Sequence, residues 1–399
     1  EQQQARGEDR RDHARHVELE RQVRGGAREH AAALLALRVV DRDAPLGALD
    51  EHDERGDAGH HQHQDQRERW VHLAVTHELE RAADRCRQAG DDAGEELRKF
   101  YLSSSGNIRI SCAIIRILAD NNTPADRALL FTGLWSGSRT IRELALKKLA
   151  ECGFEPTEGE RDKLHQLISD TAGIITWNIA ARISIRRQKD VVMPEILERE
   201  ISRWNMFLFS LLSLTYDRSS LDKIKKNLDA GTIESVNYAL EMIDMVIDET
   251  IKPKVVPVLD IIPDEERIRQ LYHFFPGVIR EYDNLIEELI NRDYNLLGIW
   301  IRACALRNMK SVQSESLAES VTALLFSPEA ILQEESAALL ARSEGNLFEN
   351  AGTRINAETR ERLRRITTGD AAIESGIFEK TRFLARCFPG IDEEDLLPL

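Results

Sequence analysis

Residues 1–98 contain no lysine, serine, isoleucine, asparagine, phenylalanine, tyrosine or methionine, although all seven are common from Lys99 onward. An ordinary segment of this length would hold roughly six serines and similar numbers of lysines and isoleucines. The requirements of a packed fold do not explain the absence of seven residue types at once. The loss indicates a constraint on codons, since six of the seven residue types need codons rich in A and T. The amino-acid composition of the sequence therefore changes between Arg98 and Lys99.

What remains in residues 1–98 is rich in arginine, with 16 copies, and in histidine, with nine of the eleven in the chain. We hypothesise that this segment comes from a misread or misjoined reading frame and is non-native or disordered, with some helix. The alternative is a metal site for Zn²⁺ or Ni²⁺, since imidazole is a common metal ligand. No pair of these histidines has a third ligand at helical spacing, so no metal residue is predicted. The histidines concerned are His52, His60, His61, His63, His72 and His77.

Paired cysteines, excess basic charge and long apolar runs are also missing. The five cysteines are scattered, which is typical of reduced thiols: Cys86, Cys112, Cys152, Cys304 and Cys387. The net charge of −15 disfavours nucleic acid as a partner, because phosphate binding needs clustered lysine and arginine. Residues 1–30 are polar, unlike a signal peptide, and residues 206–214 are too short to span a bilayer. We expect a cytoplasmic chain with no direct membrane span.

No phosphate-binding glycine loop or nucleophile motif occurs in the sequence. Two acidic groups, 264–266 and 393–395, could act as general acids and bases or bind Mg²⁺. Both lie at predicted helix starts, where acids favour the helix dipole, so the capping interpretation is preferred. Lys223, Lys225 and Lys226 could bind an anionic lipid or a phosphate, but a solvated helix face is preferred. The sequence therefore predicts no catalytic, cofactor or metal residue, no cofactor and no enzyme.

Two further residue types are assigned structural roles. His165 and His273 lie among helical residues without a nearby nucleophile pattern, so we expect them to be structural. Tryptophans are spaced along the predicted helices and are expected to anchor the core: Trp135, Trp177, Trp204 and Trp300.

Helical periodicity dominates the sequence after residue 107. In residues 233–247, apolar side chains advance in steps of three and four and so lie on one helix face. Met242, Met245 and Val246 widen that face, which predicts burial on more than one side, as in an internal layer of a solenoid. The stepped positions are Ile233, Val236, Leu240, Ile243 and Ile247.

Helix boundaries are marked by capping residues. Thr123 is followed by Pro124 and Asp126, and Thr157 is followed three positions later by Glu160; both patterns are typical of helix starts. Helix starts are also expected at Pro194 and at 264–266, and helix stops at Gly153 and Gly345. No strand-like alternation occurs over 107–365, so we predict an all-α fold.

Several stretches resemble the HEAT-repeat segment of bacterial proteins related to the ADP/ATP translocases. They are residues 208–217 (LFSLLSLTYD), 238–244 (YALEMID), 291–295 (NRDYN) and 300–306 (WIRACAL). The resemblance implies a right-handed α-solenoid of degenerate HEAT-like helical hairpins, placed at residues 99–370. In that family a membrane transporter-like domain precedes the repeats and a cyclic-nucleotide-binding-like domain often follows.

The C-terminal residues 371–399 fit the same layout. Residues 378–384 (FEKTRFL) and 388–396 (FPGIDEEDL) are similar to the lead-in helices of a cyclic-nucleotide-binding domain. The phosphate-binding residues of such a domain do not follow, so we interpret this segment as a truncated lead-in. A missing fused domain would then associate the chain with a membrane.

The function expected from this sequence is that of a non-catalytic scaffold. Its solenoid would bind a protein partner, or would link an attached membrane transporter-like domain to a sensor domain. One alternative is a HEAT-like solenoid enzyme, resembling DNA glycosylases or bilin lyases. Another is a regulatory module that responds to cyclic nucleotide when full-length.

Overall fold

The structure is a computed structural model. It describes residues 91–103, 108–186, 192–276, 279, 281–293, 296–345, 347–368, 377–387 and 397. These residues form 17 α-helices and one 3₁₀ turn, and no strand occurs among them. The prediction of an all-α fold is confirmed for this part of the chain. The histidines from His52 to His77 and the acidic group 393–395 lie outside the described residues.

The chain divides into two compact units, Glu1–Phe154 and Glu155–Leu399. The boundary between them falls inside the span predicted for the solenoid. The helices described in the first unit are α1 (Asp91–Ser103), α2 (Ile108–Asn121), α3 (Pro124–Thr132) and α4 (Arg139–Glu151), with the 3₁₀ turn Gly133–Trp135 after α3.

Helix α1 runs across the composition break at Lys99 without interruption. Leu97, just before the break, is 1% exposed and packs in the apolar cluster that α1 forms with α2. The adjacent Arg98 donates from Nη1 to Oδ1 of the fully buried Asp126 at 2.6 Å. The change in composition therefore does not coincide with a change in packing.

The predicted helix boundaries of the first unit are confirmed. The Thr123 hydroxyl accepts a hydrogen bond from the Asp126 amide at 3.2 Å, and the Asp126 carboxylate accepts one from the Thr123 amide, which completes a capping box. Pro124 occupies the first helical turn. Gly153 follows α4 at a φ of +64°, a conformation that glycine adopts without a steric penalty.

The second unit contains thirteen described helices. They are α5 (Glu158–Arg186), α6 (Val192–Thr215), α7 (Arg218–Ala230), α8 (Ile233–Val246), α9 (Lys252–Leu259), α10 (Asp264–Leu271), α11 (Tyr282–Asn291), α12 (Ile299–Asn308), α13 (Glu315–Leu324), α14 (Ala330–Arg342), α15 (Leu347–Gly352), α16 (Ala357–Thr368) and α17 (Ile377–Cys387).

Consecutive helices of the second unit pack against each other, as α5 does with α6, α7 with α8 and α13 with α14. Contacts also skip along the chain, so that α14 packs against α12, α16 and α17. One apolar cluster runs through α5, α6 and the helices from α11 to α17. The predicted helix starts at Thr157 and Asp264 are confirmed, and α6 begins two residues before Pro194. Helix α14 ends at Arg342, three residues before the predicted stop at Gly345.

The burial of side chains on helix α8 differs in part from the prediction. Val236, Ile243 and Ile247 are buried as predicted, but Ile233 and Met245 are each 78% exposed. Met245 follows the exposed Tyr238 by seven positions, which is two helical turns, and so lies on the outward face. Ile233 is the first residue of the helix. The helix is therefore buried along a narrower face than the sequence predicts.

Three of the four tryptophans are core residues, as expected. Trp177, Trp204 and Trp300 are each 5% exposed, whereas Trp135 is 45% exposed and the prediction is wrong there. Trp135 ends the 3₁₀ turn and meets the Phe131 ring edge-on, with ring centroids 5.1 Å apart. Of the helices that the structure describes, none is both long enough and apolar enough to cross a membrane.

Candidate functional site

A cleft of about 260 Å³ opens in the second unit where α6, α12 and α17 meet. Its floor is apolar and comes from all three helices: Ile196, Trp300, Cys304 and Phe378. The rings of Trp300 and Phe378 stack with centroids 4.5 Å apart and planes inclined by 20°. Both rings are 5% exposed, so the floor is fixed by the core rather than by mobile surface side chains.

The rim of the cleft is polar and carries three arginines, one from each helix. The rim residues are Glu195, Arg199, Arg307, Asn308 and Arg382. Because guanidinium groups donate several hydrogen bonds in a fixed plane, such a rim can bind a planar anion such as a carboxylate.

Arg307 is the anchored member of the rim. Its Nη1 donates to Glu335 Oε1 at 2.8 Å, its Nη2 donates to Glu379, and its guanidinium carbon lies 4.2 Å from the centroid of the Phe378 ring. Burial raises the pKa of Glu335, and the charge of Arg307 opposes that rise. Two carboxylates thus pair with Arg307 and hold it over the floor.

Arg382 and Glu195 are exposed, and neither has a hydrogen-bond or ion-pair partner in the part of the chain that the structure describes. The three arginines of the rim stand against three carboxylates, those of Glu195, Glu335 and Glu379. The charges around the cleft are therefore balanced, while the chain as a whole carries −15.

A second polar cluster joins His165 of α5 to Tyr216 and Asp248, which follow α6 and α8. The Tyr216 hydroxyl lies 3.1 Å from His165 Nε2 and donates to Asp248 Oδ2 at 3.3 Å. His165 Nε2 is also 3.3 Å from Asp248 Oδ2. His165 therefore has packing and hydrogen-bond partners, in line with the structural role expected for it.

We expect Tyr216 to make stability decline at alkaline pH. Burial, aided by the charge of Asp248, raises the pKa of Tyr216 from 10.0 to about 12. Because folding favours the neutral phenol, Tyr216 contributes to the free energy of unfolding. This contribution is complete below pH 10 and is lost as pH rises through the folded pKa. The phenolate absorbance of the native protein minus that of Tyr216→Phe should titrate near pH 12. A difference curve centred near pH 10 would contradict the assignment. The subtraction removes Tyr101, whose pKa burial also raises.

The acidic group 264–266 does not form a site. Asp264 is 7% exposed and accepts two hydrogen bonds from Arg182, from Nη2 at 2.6 Å and from Nε at 2.9 Å. Arg186 adds a third at 3.0 Å. Glu265 points to solvent and Glu266 pairs with Arg269. The three acids begin α10 as predicted, but Asp264 also ties α10 to α5, which sequence reasoning missed.

The remaining sequence candidates differ in their exposure to solvent. Lys223, Lys225 and Lys226 are exposed, which agrees with the preferred interpretation of a solvated face. His273 is exposed. Cysteine burial varies, since Cys112 and Cys304 are buried and Cys152 is half-buried. No group of three or more histidine, cysteine, aspartate or glutamate side chains that could hold a metal ion occurs among the described residues.

Comparison with known proteins gives no relative for this chain. No family model, no curated protein and no solved structure matches it.

Proposed function

We propose that this chain is a non-catalytic helical scaffold that binds a protein partner, and that the cleft of α6, α12 and α17 holds a segment of that partner. The observation that carries the proposal is the convergence of arginines from three helices on an aromatic floor. Aromatic residues and arginine dominate the binding energy of protein interfaces. A volume of about 260 Å³ is smaller than most small-molecule pockets and suits one or two side chains.

We further propose that the second unit is built of HEAT-like hairpins arranged as a right-handed solenoid. Support comes from the packing of consecutive helices in pairs and from the contacts that α14 makes with α12 and α16. Such a stack would present successive helices to a partner. The resemblance to translocase-related proteins extends the proposal to a cytoplasmic link between a membrane transporter-like domain and a sensor domain.

Filling the cleft should abolish partner binding. Asn308 is exposed on the rim, so Asn308→Trp places an indole in the opening without altering the core. We expect a protein from cells that produce this chain natively to bind the immobilised wild type in a fixed ratio. The Asn308→Trp variant should retain less than about a tenth of the partner that the wild type retains, as expected when one interface anchor is lost. Quantitative mass spectrometry of the retained proteins measures the ratio.

Asn237→Trp is the matched control, because Asn237 is exposed on α8, outside the cleft. This variant adds the same indole to the surface and should retain the partner as the wild type does. Equal retention by the wild type and both variants would overturn the proposal, and so would the absence of any selectively retained protein.

A further inference from the structure

We propose that His165, Tyr216 and Asp248 form a binding site for Zn²⁺, with a water molecule as the fourth ligand. They come from three places in the second unit: His165 lies on α5, Tyr216 directly follows α6, and Asp248 follows α8. Imidazole nitrogens and carboxylate oxygens are usual ligands of Zn²⁺, and an ionised phenol is a comparable anionic oxygen donor. This metal site is separate from the cleft and does not depend on the function proposed for it.

The three donor atoms are spaced as ligands of one tetrahedral metal ion. The Tyr216 hydroxyl lies 3.1 Å from His165 Nε2 and 3.3 Å from Asp248 Oδ2, and the last two atoms are 3.3 Å apart. Ligands at the usual Zn²⁺ distances of about 2.0–2.1 Å stand about 3.3–3.4 Å apart when the geometry is tetrahedral. Octahedral Mg²⁺ would need adjacent ligands only about 2.8–3.0 Å apart. The triangle therefore fits Zn²⁺ with little movement of the side chains.

The same triangle is wide for a set of hydrogen bonds. An O–H···O hydrogen bond is usually about 2.7–2.8 Å long, whereas the Tyr216 hydroxyl lies 3.3 Å from Asp248 Oδ2. A hydrogen bond between a charged imidazole and a carboxylate is usually about 2.7–2.9 Å long, yet His165 Nε2 and Asp248 Oδ2 are 3.3 Å apart. A cation bound between the three atoms would therefore satisfy them better than their mutual hydrogen bonds do.

The charge and the exposure of the cluster allow a cation to enter. Asp248 has no lysine or arginine ion-pair partner in the described part of the chain, and the neighbouring Lys252 pairs with Asp244 and Glu249 instead. The Asp248 side chain is 53% exposed, whereas that of His165 is 18% exposed. The site is therefore open to solvent at Asp248, where a water molecule can complete the coordination.

Binding of Zn²⁺ ionises Tyr216. The phenolic O–H bond breaks, the Zn–O bond forms, and the proton passes to solvent water. Zn²⁺ lowers the pKa of a bound water from 15.7 to about 7, and a phenol is a stronger acid than water, so the coordinated phenol is ionised at neutral pH. Burial raises the pKa of Tyr216 without the metal, and the charge of Arg161 opposes that rise.

The ultraviolet absorbance of tyrosinate tests this site in the full chain. Residues 1–98 hold nine histidines that could also bind Zn²⁺, but they contain no tyrosine and so do not contribute to this signal. We expect Zn²⁺ at neutral pH to generate one tyrosinate per chain, and Mg²⁺ at the same concentration to generate none. Tyr216→Phe should lose the signal, whereas the control Tyr238→Phe, which alters an exposed tyrosine of α8, should retain it.

Asp248→Asn distinguishes a metal site from a hydrogen-bonded cluster. Asparagine keeps an oxygen acceptor for the Tyr216 hydroxyl and removes the anionic ligand. The Zn²⁺ concentration at half of the tyrosinate signal should rise by at least about tenfold, since the loss of even an outer-shell partner weakens a metal site by that factor. Asp229→Asn is the matched control, because Asp229 is exposed near the end of α7 that is remote from Tyr216, and it should leave that concentration unchanged.

The proposal is overturned if Zn²⁺ at millimolar concentration generates no tyrosinate, or if Mg²⁺ generates as much. A signal that persists in Tyr216→Phe overturns it as well, and so does an unchanged half-signal concentration in Asp248→Asn. Zn²⁺ should also raise the urea midpoint of the wild type more than that of Asp248→Asn, because a ligand that binds the folded state stabilises it. The urea transition of the variant shows at the same time that it is folded.

Discussion

Replacing Asp264 with alanine is expected to lower the free energy of unfolding of the second unit by about 3 kcal/mol. Removing one partner of a buried ion pair usually costs about 3–5 kcal/mol, because the other charge is left uncompensated. Arg182 is 4% exposed and would lose both of its hydrogen bonds to Asp264. Glu198 still contacts Arg182, which places the loss at the lower end of that range.

Glu265→Ala is the control for this prediction. Glu265 is the next residue in the same helical turn and is exposed, so its loss should remove only a helix-dipole interaction of about 0.3–1 kcal/mol. Urea unfolding followed by circular dichroism measures both variants. If Asp264→Ala is no more destabilising than Glu265→Ala, the ion pair does not hold α10 against α5.

Local sequence signals predicted the helices well because the relevant contacts lie within one turn. Thr123 and Asp126 cap each other three positions apart, and Thr157 donates from its amide and its hydroxyl to the Glu160 carboxylate over the same spacing. Such pairs form whenever the helix forms, so tertiary packing is not needed to place them. The all-α class follows from these signals together with the absence of strand-like alternation.

Burial was predicted less well, because periodicity does not show how many neighbours a helix has. The apolar face of α8 extends over Ile233 and Met245 in sequence, yet both are exposed. Trp135 is similar, since its size favours burial but it ends a short turn at the surface. A hydrophobic residue buries only where another element covers it, and that depends on the tertiary arrangement.

The candidate site could not be predicted, because its residues come from distant parts of the chain. Arg199, Arg307 and Arg382 stand on three helices that share no sequence motif. Arg182 and Asp264 are 82 positions apart. The sequence analysis did single out residues 300–306 and 378–384 for a resemblance, and both segments line the cleft, but neither predicted a binding site. The sequence around a single charged residue in a helix does not indicate which distant residue it pairs with.

Trp177→Ala is expected to destabilise the same unit by about 3–5 kcal/mol, the usual range for removal of a buried aromatic side chain. Trp177 is 5% exposed on α5, and its indole Nε1 donates to Glu288 Oε1 on α11 at 2.9 Å. The guanidinium of Arg292 lies 3.7 Å from the centroid of the indole ring. Alanine would thus leave a cavity and a half-buried arginine without its aromatic neighbour, and Glu288 Oε1 would keep only its hydrogen bond from Arg292 at 3.1 Å.

Two further variants separate these contributions. Trp177→Phe keeps an aromatic ring below Arg292 and removes the hydrogen bond to Glu288. Its free energy of unfolding should therefore lie between those of the wild type and Trp177→Ala. Trp135→Ala removes the same side chain from an exposed position of the first unit. It should lower the free energy of unfolding by less than about 1 kcal/mol, since little buried surface is lost.

Because Trp177 and Asp264 both attach α5 to later helices of one unit, their alanine variants should lower the midpoint of the same urea transition. Destabilisation by Trp177→Ala that does not exceed that of Trp135→Ala would show that α5 does not depend on this contact with α11.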